Sequence, residues 1–403
     1  MAKAACNLER GIDLLLALAR PPASVEMAPL SEALGRVLAE DCFAGIDQPP
    51  FDRSPLDGYA LFHGDVAASD KENPAVLTVS QHIYAGDTPA GPLAPGEAAR
   101  VTTGAPLPPG ATCVARQENT DYGEEQVKVY VSLKKHQNYV FRGEDLPAGR
   151  LVAAKGVRLR SAHIGTLAGQ GFTQAAVYPR PQVGLLSTGS ELAPAGEPLP
   201  PGMIYDSNSY TLAARVREWG GQAQAERGIA DDPAKIAAAL EAILAERDLV
   251  ATTGGVSVGA HDYMPRVGEI LGAEVLFHGL GYKPGGVALA LRRGDKLILC
   301  LSGNPFAALV SFELLAGPVF RKMAGQTELL TPRVRASLRG DFPKASASRR
   351  FLRAKLVGGE VFTERDGHGS GSFSSLTRCD CLIDIPAGSP PMSDGAAVDV
   401  ILL

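Results

Sequence analysis

Three short stretches of this chain are almost bare of side-chain bulk: LLSTGSEL (185–192), VATTGGVSVGAHD (250–262) and CLSGNPFAA (300–308). Each follows an apolar run of strand length and leads toward a helical pattern. Glycine lets a backbone come close to a ligand, free N–H groups at a helix start point outward, and Ser and Thr hydroxyls donate without bulk. Together these features suit a phosphate or a similar anion. One such turn is an ordinary tight turn; three leaving one sheet favour an anion crevice at its carboxyl edge. The candidate anion-binding residues are Thr188, Gly189 and Ser190, then Gly254, Gly255 and Ser257, then Ser302, Gly303 and Asn304. No stretch reads G-x-x-x-x-G-K-S/T or G-x-G-x-x-G, which disfavours ordinary triphosphate and dinucleotide sites.

Acids form a second set: Asp57 in SPLDGYA, Asp145 in RGEDLPAG, Glu191 in STGSEL and Asp262 in GAHDY. A hard cation such as Mg²⁺ takes one or two carboxylates plus phosphate oxygens and water. Singly, each acid serves equally as a turn former or cap: Asp57 precedes Gly58, and Glu191 falls where the first turn of a helix is expected. A third set holds cations and hydroxyls: Lys283 in YKPGG, read as a turn between strands, Arg353 in RRFLRAKL, and Ser370 in GHGSGSFSS. These are the groups an oxyanion needs. Exposed charge and a loose loop are the plainer alternative.

These residues need elements to position them. Leu8, Ile12, Leu15, Leu16 and Ala19 recur at helical spacing until Pro21-Pro22, and a second helical piece is expected over 30–40. The proline-rich IDQPPFDRSPLDGYA marks a boundary. From 75 to 141, short β runs separated by Gly and Pro predict a small β domain, and 142–181 returns to the first region with a helical piece near 164–168. Then strands and helices alternate: QVGLLST, a helix over 209–219, a strand over 222–229, a helix capped by Asp232 with Pro233 at its first position, DLVATT, KLILCLS, and a helix opened by Asn304-Pro305. Such alternation predicts a parallel sheet covered on both faces. Beyond Thr331, RVRASL, RFLRAKL, CLIDIP and AVDVILL predict a barrel or sandwich.

Bulk properties agree with an ordinary globular protein of two to four domains: 403 residues, 45% hydrophobic, 21% charged and a net charge of −5. The charge and the 6% aromatic content argue against a nucleic-acid platform. No apolar run is long enough to span a bilayer, and MAKAACNLERGID lacks a signal-peptide core, so a cytoplasmic protein is expected. Of six scattered cysteines only Cys379 and Cys381 are close, and a lone C-x-C is a weak zinc signal.

PPFDRSPLDGYA, TTGAPLPPGA, RGEDLPAG, STGSEL, GMIYDSNSYTL, TTGGVSVGAHDY, KPGG, SGNP and GSGSFSS occur in this order, nearly end to end. In that set the chain resembles the MoeA family, the molybdopterin molybdenumtransferases, which include the E domains of gephyrin-type proteins. The resemblance implies a multidomain α/β plus β architecture. It comprises an elongated helical N-terminal and linker domain (1–48 and 142–181), a small β domain (49–141), a MogA-like parallel α/β molybdopterin-binding domain (182–328) and a C-terminal β-barrel (329–403). It implies molybdenum cofactor biosynthesis: molybdate enters adenylylated molybdopterin and AMP leaves, with Mg²⁺ as cofactor. By position, Asp57, Thr103, Asp145, Glu191 and Asp262 match the family's functional polar residues, with Asp57, Glu191 and Asp262 as expected metal ligands. Lys283, Arg353 and Ser370 match positions that hold molybdate. The implied partners are a second copy of the chain, with a cleft that can draw on both subunits, the molybdopterin adenylyltransferase and molybdoenzyme chaperones.

The chain also departs from the family pattern. The usual P-G-K-P reads Pro284-Gly285-Gly286, a further basic position is Gly279, and the usual P-G-N-P reads Ser302-Gly303-Asn304-Pro305. Two lost ammonium groups would weaken an oxyanion site by about 1–3 kcal/mol for each charge-assisted bond. Arg292, Arg293 and His278 are the candidates to compensate. The alternatives to an insertase are a non-catalytic molybdopterin-binding scaffold or carrier, a tungstate-inserting homologue, and an unrelated phosphate-binding α/β enzyme.

Overall fold

The computed structural model describes residues 6–256, 263–343, 345–363 and 369–403. Ser257, Asp262 and the rest of 257–262 lie outside them. The chain divides into two compact units, one of Met1–Glu40, Lys155–Arg160 and Gln174–Leu403, the other of Asp41–Ala154 and Ser161–Thr173.

The smaller unit is built on five strands in the order Cys113–Arg116, Gly58–Leu61, Glu97–Val101, Ala75–Ile83, Gln126–Val129. Their alternating side chains bury both faces. Tyr59, Leu61, Leu77, Val127 and Val129 fill one side, and Ala60, Ile83, Ala99, Val101 and Val114 the other. A Cβ on Gly58 would lie 1.9 Å from the Ala115 carbonyl oxygen, so the strand after Asp57 can begin only with glycine. The helix expected near 164–168 is Ser161–Gly169.

In the larger unit, strands β1 (Gln182–Thr188), β2 (Gln222–Ile229), β3 (Leu249–Thr253), β4 (Glu274–His278), β5 (Leu289–Arg293) and β6 (Lys296–Leu301) form one sheet in the order β2-β1-β3-β6-β5-β4. Helices α1 (Asn208–Glu218), α2 (Pro233–Glu246), α3 (Met264–Ile270) and α4 (Pro305–Ser311) cover it. Two cores divide the faces. Leu212 and Val216 of α1 and Phe306 and Val310 of α4 pack with Leu185, Ala251 and Leu299. Ile236 and Leu240 of α2 and Met264 and Val267 of α3 pack with Leu186, Val250 and Ile298. The expected cap holds: Asp232 accepts from the N–H groups of Ala234 and Lys235 at 2.8 and 3.2 Å.

Five of the six strands run in one direction, but β5 runs antiparallel to both its neighbours, β6 and β4. A two-residue turn makes this hairpin: Arg293 faces Lys296 across Gly294, whose φ of 62° suits glycine. The helix expected over 30–40 is also different. Only Leu30–Glu32 winds, as one 3₁₀ turn; Gly35 then takes φ 75° and the N–H of Leu38 donates to Val157 O. Leu30, Ala33, Val37 and Leu38 are buried at helix-like spacing, but as a bent extended segment.

Strands β7 (Arg333–Arg339), β8 (Arg349–Val357), β9 (Glu360–Thr363), β10 (Cys381–Ile385) and β11 (Ala397–Leu402) run β8-β9-β7-β11-β10, and β10 pairs back with β8. Five strands thus close a barrel around Leu338, Ala354, Val361, Ile383 and Val400. Tyr282–Lys283 adds alongside β8 in parallel. Among the described residues no helix is long and apolar enough to cross a membrane.

Candidate functional site

The carboxyl ends of β1, β3 and β6 open onto a cleft of about 1020 Å³ in the larger unit. Glycine geometry draws the three turns together. Gly254 has φ 97°, and a Cβ there would stand 2.4 Å from Thr188 O. Gly303 faces Gly254, its Cβ position 3.6 Å from the Gly254 Cα. Thr188 Oγ1 donates to Thr253 O at 3.3 Å, and Gly254 N–H to Leu301 O at 3.1 Å. The turns therefore form one continuous rim of small residues, each fixed by its neighbour.

Thr188, Gly189, Ser190, Gly254, Gly255, Ser302, Gly303 and Asn304 all line this cleft, as do Glu191, Lys283, Arg353 and Ser370. Glu191 is not in the first turn of a helix. The chain after β1 instead forms the two-residue strand Leu192–Ala193, paired with Ile204–Tyr205, before α1 starts. The Glu191 carboxylate folds over Gly189, where a Cβ would meet Oε2 at 2.6 Å. Ser190 N–H is already directed at Asp231 Oδ2, 3.1 Å away.

The cationic side differs from a simple exposed set. Lys283 sits in a short strand on the barrel rather than in a turn between strands, and it is exposed. Arg353 is 1% exposed. Its guanidinium lies 3.9 Å from the Phe306 ring centroid and donates to the carbonyls of Ser372 and Gly369 and to Ser375 Oγ. It thereby holds the loop that carries Ser370. Ser370 Oγ accepts from Asn304 Nδ2 at 3.1 Å, which leaves its own proton to donate. Arg292 and Arg293 lie at the opposite end of the sheet, since Arg293 pairs with Lys296 at the start of β6, and Arg293 is held by Glu241. They do not line the cleft, and neither does His278.

Sequence reasoning missed four cleft residues: Asp206, Asn208, Asp231 and Arg350. Asp206 is 6% exposed and caps α1 by accepting from Ser209 N–H at 3.1 Å and Ser209 Oγ at 2.6 Å. Asn208 Nδ2 donates to Gly303 O at 2.7 Å, tying α1 to the third turn. Both lie inside GMIYDSNSYTL, so the stretch was visible although its working residues were not. Asp231 precedes the capping Asp232, and a doubled acid before Pro233 leaves one carboxylate for another task.

In the smaller unit, Asp57 Oδ1 accepts from Thr103 N–H at 2.6 Å and Thr103 Oγ1 at 2.9 Å. These bonds, the backbone one foremost, hold the Asp57 carboxyl below its ordinary value. Asp145 is exposed, its N–H bonded to Gln48 O at 3.1 Å. Among the described residues no three metal-ligating side chains converge. Glu191, exposed beside a phosphate-sized rim, and Asp231 fit the one or two carboxylates that Mg²⁺ takes beside phosphate oxygens.

Three family models match the chain: the MoeA N-terminal region (domain I and II) over 6–171, the probable molybdopterin binding domain over 184–322, and the MoeA C-terminal region (domain IV) over 335–403. A Bacillus subtilis protein named molybdopterin molybdenumtransferase is 37% identical over 394 residues, which is 94% of this chain and 90% of that protein. A Staphylococcus epidermidis protein of the same name is 35% identical over 376 residues, 93% and 90% of the two chains. Among solved structures, a molybdopterin biosynthesis MoeA protein from Pyrococcus horikoshii superposes with a TM-score of 0.85 at 31% identity, over 99% of this chain and 100% of that one.

Proposed function

The chain belongs to the MoeA family, and we propose that it is a molybdopterin molybdenumtransferase, which inserts molybdate into adenylylated molybdopterin and releases AMP. One observation carries the reading within the site. A rim of glycine backbone and small hydroxyl side chains lines a single cleft with exposed cations. The rim suits the phosphate arm of a pterin, and the cations suit an oxyanion beside it. Ser190 and Ser302 would donate to phosphate oxygens without crowding them, beside Thr188, whose hydroxyl is bonded to Thr253 O and sets the turn. Glu191, with Asp231 near it, would hold Mg²⁺, which offsets phosphate charge as a Lewis acid when bound. Asp57, Thr103, Asp145 and Asp262 are proposed as the remaining catalytic groups, and Asp57 as a further metal ligand. Asp57 is kept anionic by Thr103, as either role requires.

We further propose a homodimer in the cytoplasm that takes its pterin from the adenylyltransferase and passes product to molybdoenzyme chaperones. The test is AMP release from adenylylated molybdopterin with Mg²⁺ and molybdate. Glu191→Ala should cut release at least about a hundredfold, the cost of about 3 kcal/mol of lost transition-state charge stabilisation. Bound pterin with no release from the unaltered protein would sink the transferase reading and favour a carrier. The carrier reading has one observation of its own, the absence of lysines at Gly279 and Gly286.

A further inference from the structure

Lys283 and Arg350 are paired residues in the parallel ladder between Tyr282–Lys283 and β8, so their side chains leave the same face one strand apart. Both are exposed and both line the cleft. Like charges placed opposite each other repel, which is a standing cost to the fold. Among the described residues neither forms an ion pair with a carboxylate that would relieve it. Among the described residues the Arg350 side chain is anchored only at its root: Nε donates to Ser346 Oγ at 3.0 Å, and Ser346 is buried and tied to Ser348 O at 2.7 Å. The fork of Nη groups beyond Nε is the part suited to bidentate recognition of an oxyanion. Strand parity separates Arg350 from Arg353 within β8: Phe351 and Arg353 share one face and are buried, whereas Arg350 is on the other face and is exposed.

We infer that Arg350 is an anion-binding residue, a guanidinium that with Lys283 and the Ser370 hydroxyl holds a tetrahedral oxyanion. Arg353 is a positioning residue that sets the Ser370 loop. The pair takes over charge that the backbone denies elsewhere, because a Cβ on Gly286 would lie 2.1 Å from Tyr282 O and no lysine fits there. Only the identity of the oxyanion as molybdate rests on the transferase reading.

The experiment uses the full chain, with sodium molybdate titrated calorimetrically and AMP release followed against molybdate concentration. Arg350→Ala should raise the Kd and KM for molybdate about tenfold or more, the factor carried by one lost charge-assisted bond. The change should fall on KM more than on kcat. Arg350→Lys should recover part of it, as a point charge without the fork. Arg293→Ala, at the far end of the sheet, should leave both constants unchanged, and thermal melts identify any variant that fails to fold. A Kd and KM within twofold of the unaltered protein in Arg350→Ala would overturn the clamp. Molybdate binding that depends on Arg350 but yields no AMP would keep the clamp and overturn the transferase. AMP release indifferent to Arg350 would do the reverse.

Discussion

Asp57 and Thr103 show how much one residue owes to another 46 positions away. The two bonds from Thr103 depress the Asp57 carboxyl, so its contribution to stability is present above the unfolded value near 3.9 and is lost as pH falls through the folded value. Thr103→Ala should move the Asp57 titration, followed by carboxyl carbon NMR, part of the way back up, because the backbone N–H bond remains. An unchanged titration would mean that the hydroxyl does not act on the carboxylate in solution. Residue identity made Asp57 visible in the sequence as an acid before a glycine. That Thr103 is its donor was not visible, since the pairing depends on how the strands of the small sheet come together.

At the scale of elements, the two glycines that depart from the family pattern answer to the backbone: Gly279 has φ 87°, and a Cβ on Gly286 would clash. Gly286→Lys, which would restore the usual residue, should cost at least about 2 kcal/mol and fail to strengthen molybdate binding, because its Cβ meets two carbonyl oxygens. Urea unfolding and molybdate titration of the variant check both halves. Gly254→Ala should likewise weaken pterin binding and lower stability, since it combines a φ of 97° with a clash against Thr188 O. The parallel strands β1, β3 and β6 were legible as unbroken apolar runs, and α2 as a capped periodic segment. Two features misled. The segment over 30–40 carries helical spacing that burial of a bent chain also produces, and Gly35 was the warning. The β5–β6 hairpin was hidden because its Gly-Asp turn sits between two basic residues that read as surface charge. The cleft was legible as three turns, but not the exposed Arg350, because strand parity beside Lys283 is set by barrel register rather than by local sequence.

Across the whole larger unit, one buried acid joins the helices that frame the cleft. Glu313 is fully buried in a π-helical segment, Phe312–Ala316, that continues α4. It accepts from Arg215 Nε of α1 at 2.8 Å and from Thr331 Oγ1 at 3.0 Å, with Arg321 at 3.6 Å. Glu313→Ala removes the buried carboxylate shared by two largely buried guanidinium groups and should cost about 3–5 kcal/mol in equilibrium unfolding. Because α1 begins beside Asp206 and Asn208 and α4 begins at Asn304-Pro305, the loss should also loosen pterin binding. The barrel has a different hold on the site. Lys283 belongs by sequence to a stretch between β4 and β5, but its backbone is hydrogen-bonded to β8, and Arg350 is on β8 itself. If the proposed assignment holds, grip on the metal oxyanion and grip on the pterin are mechanically separable. Mild softening of the C-terminal domain would disarm the first and spare the second, leaving a protein that still captures its organic substrate and waits for an inorganic one it can no longer retain.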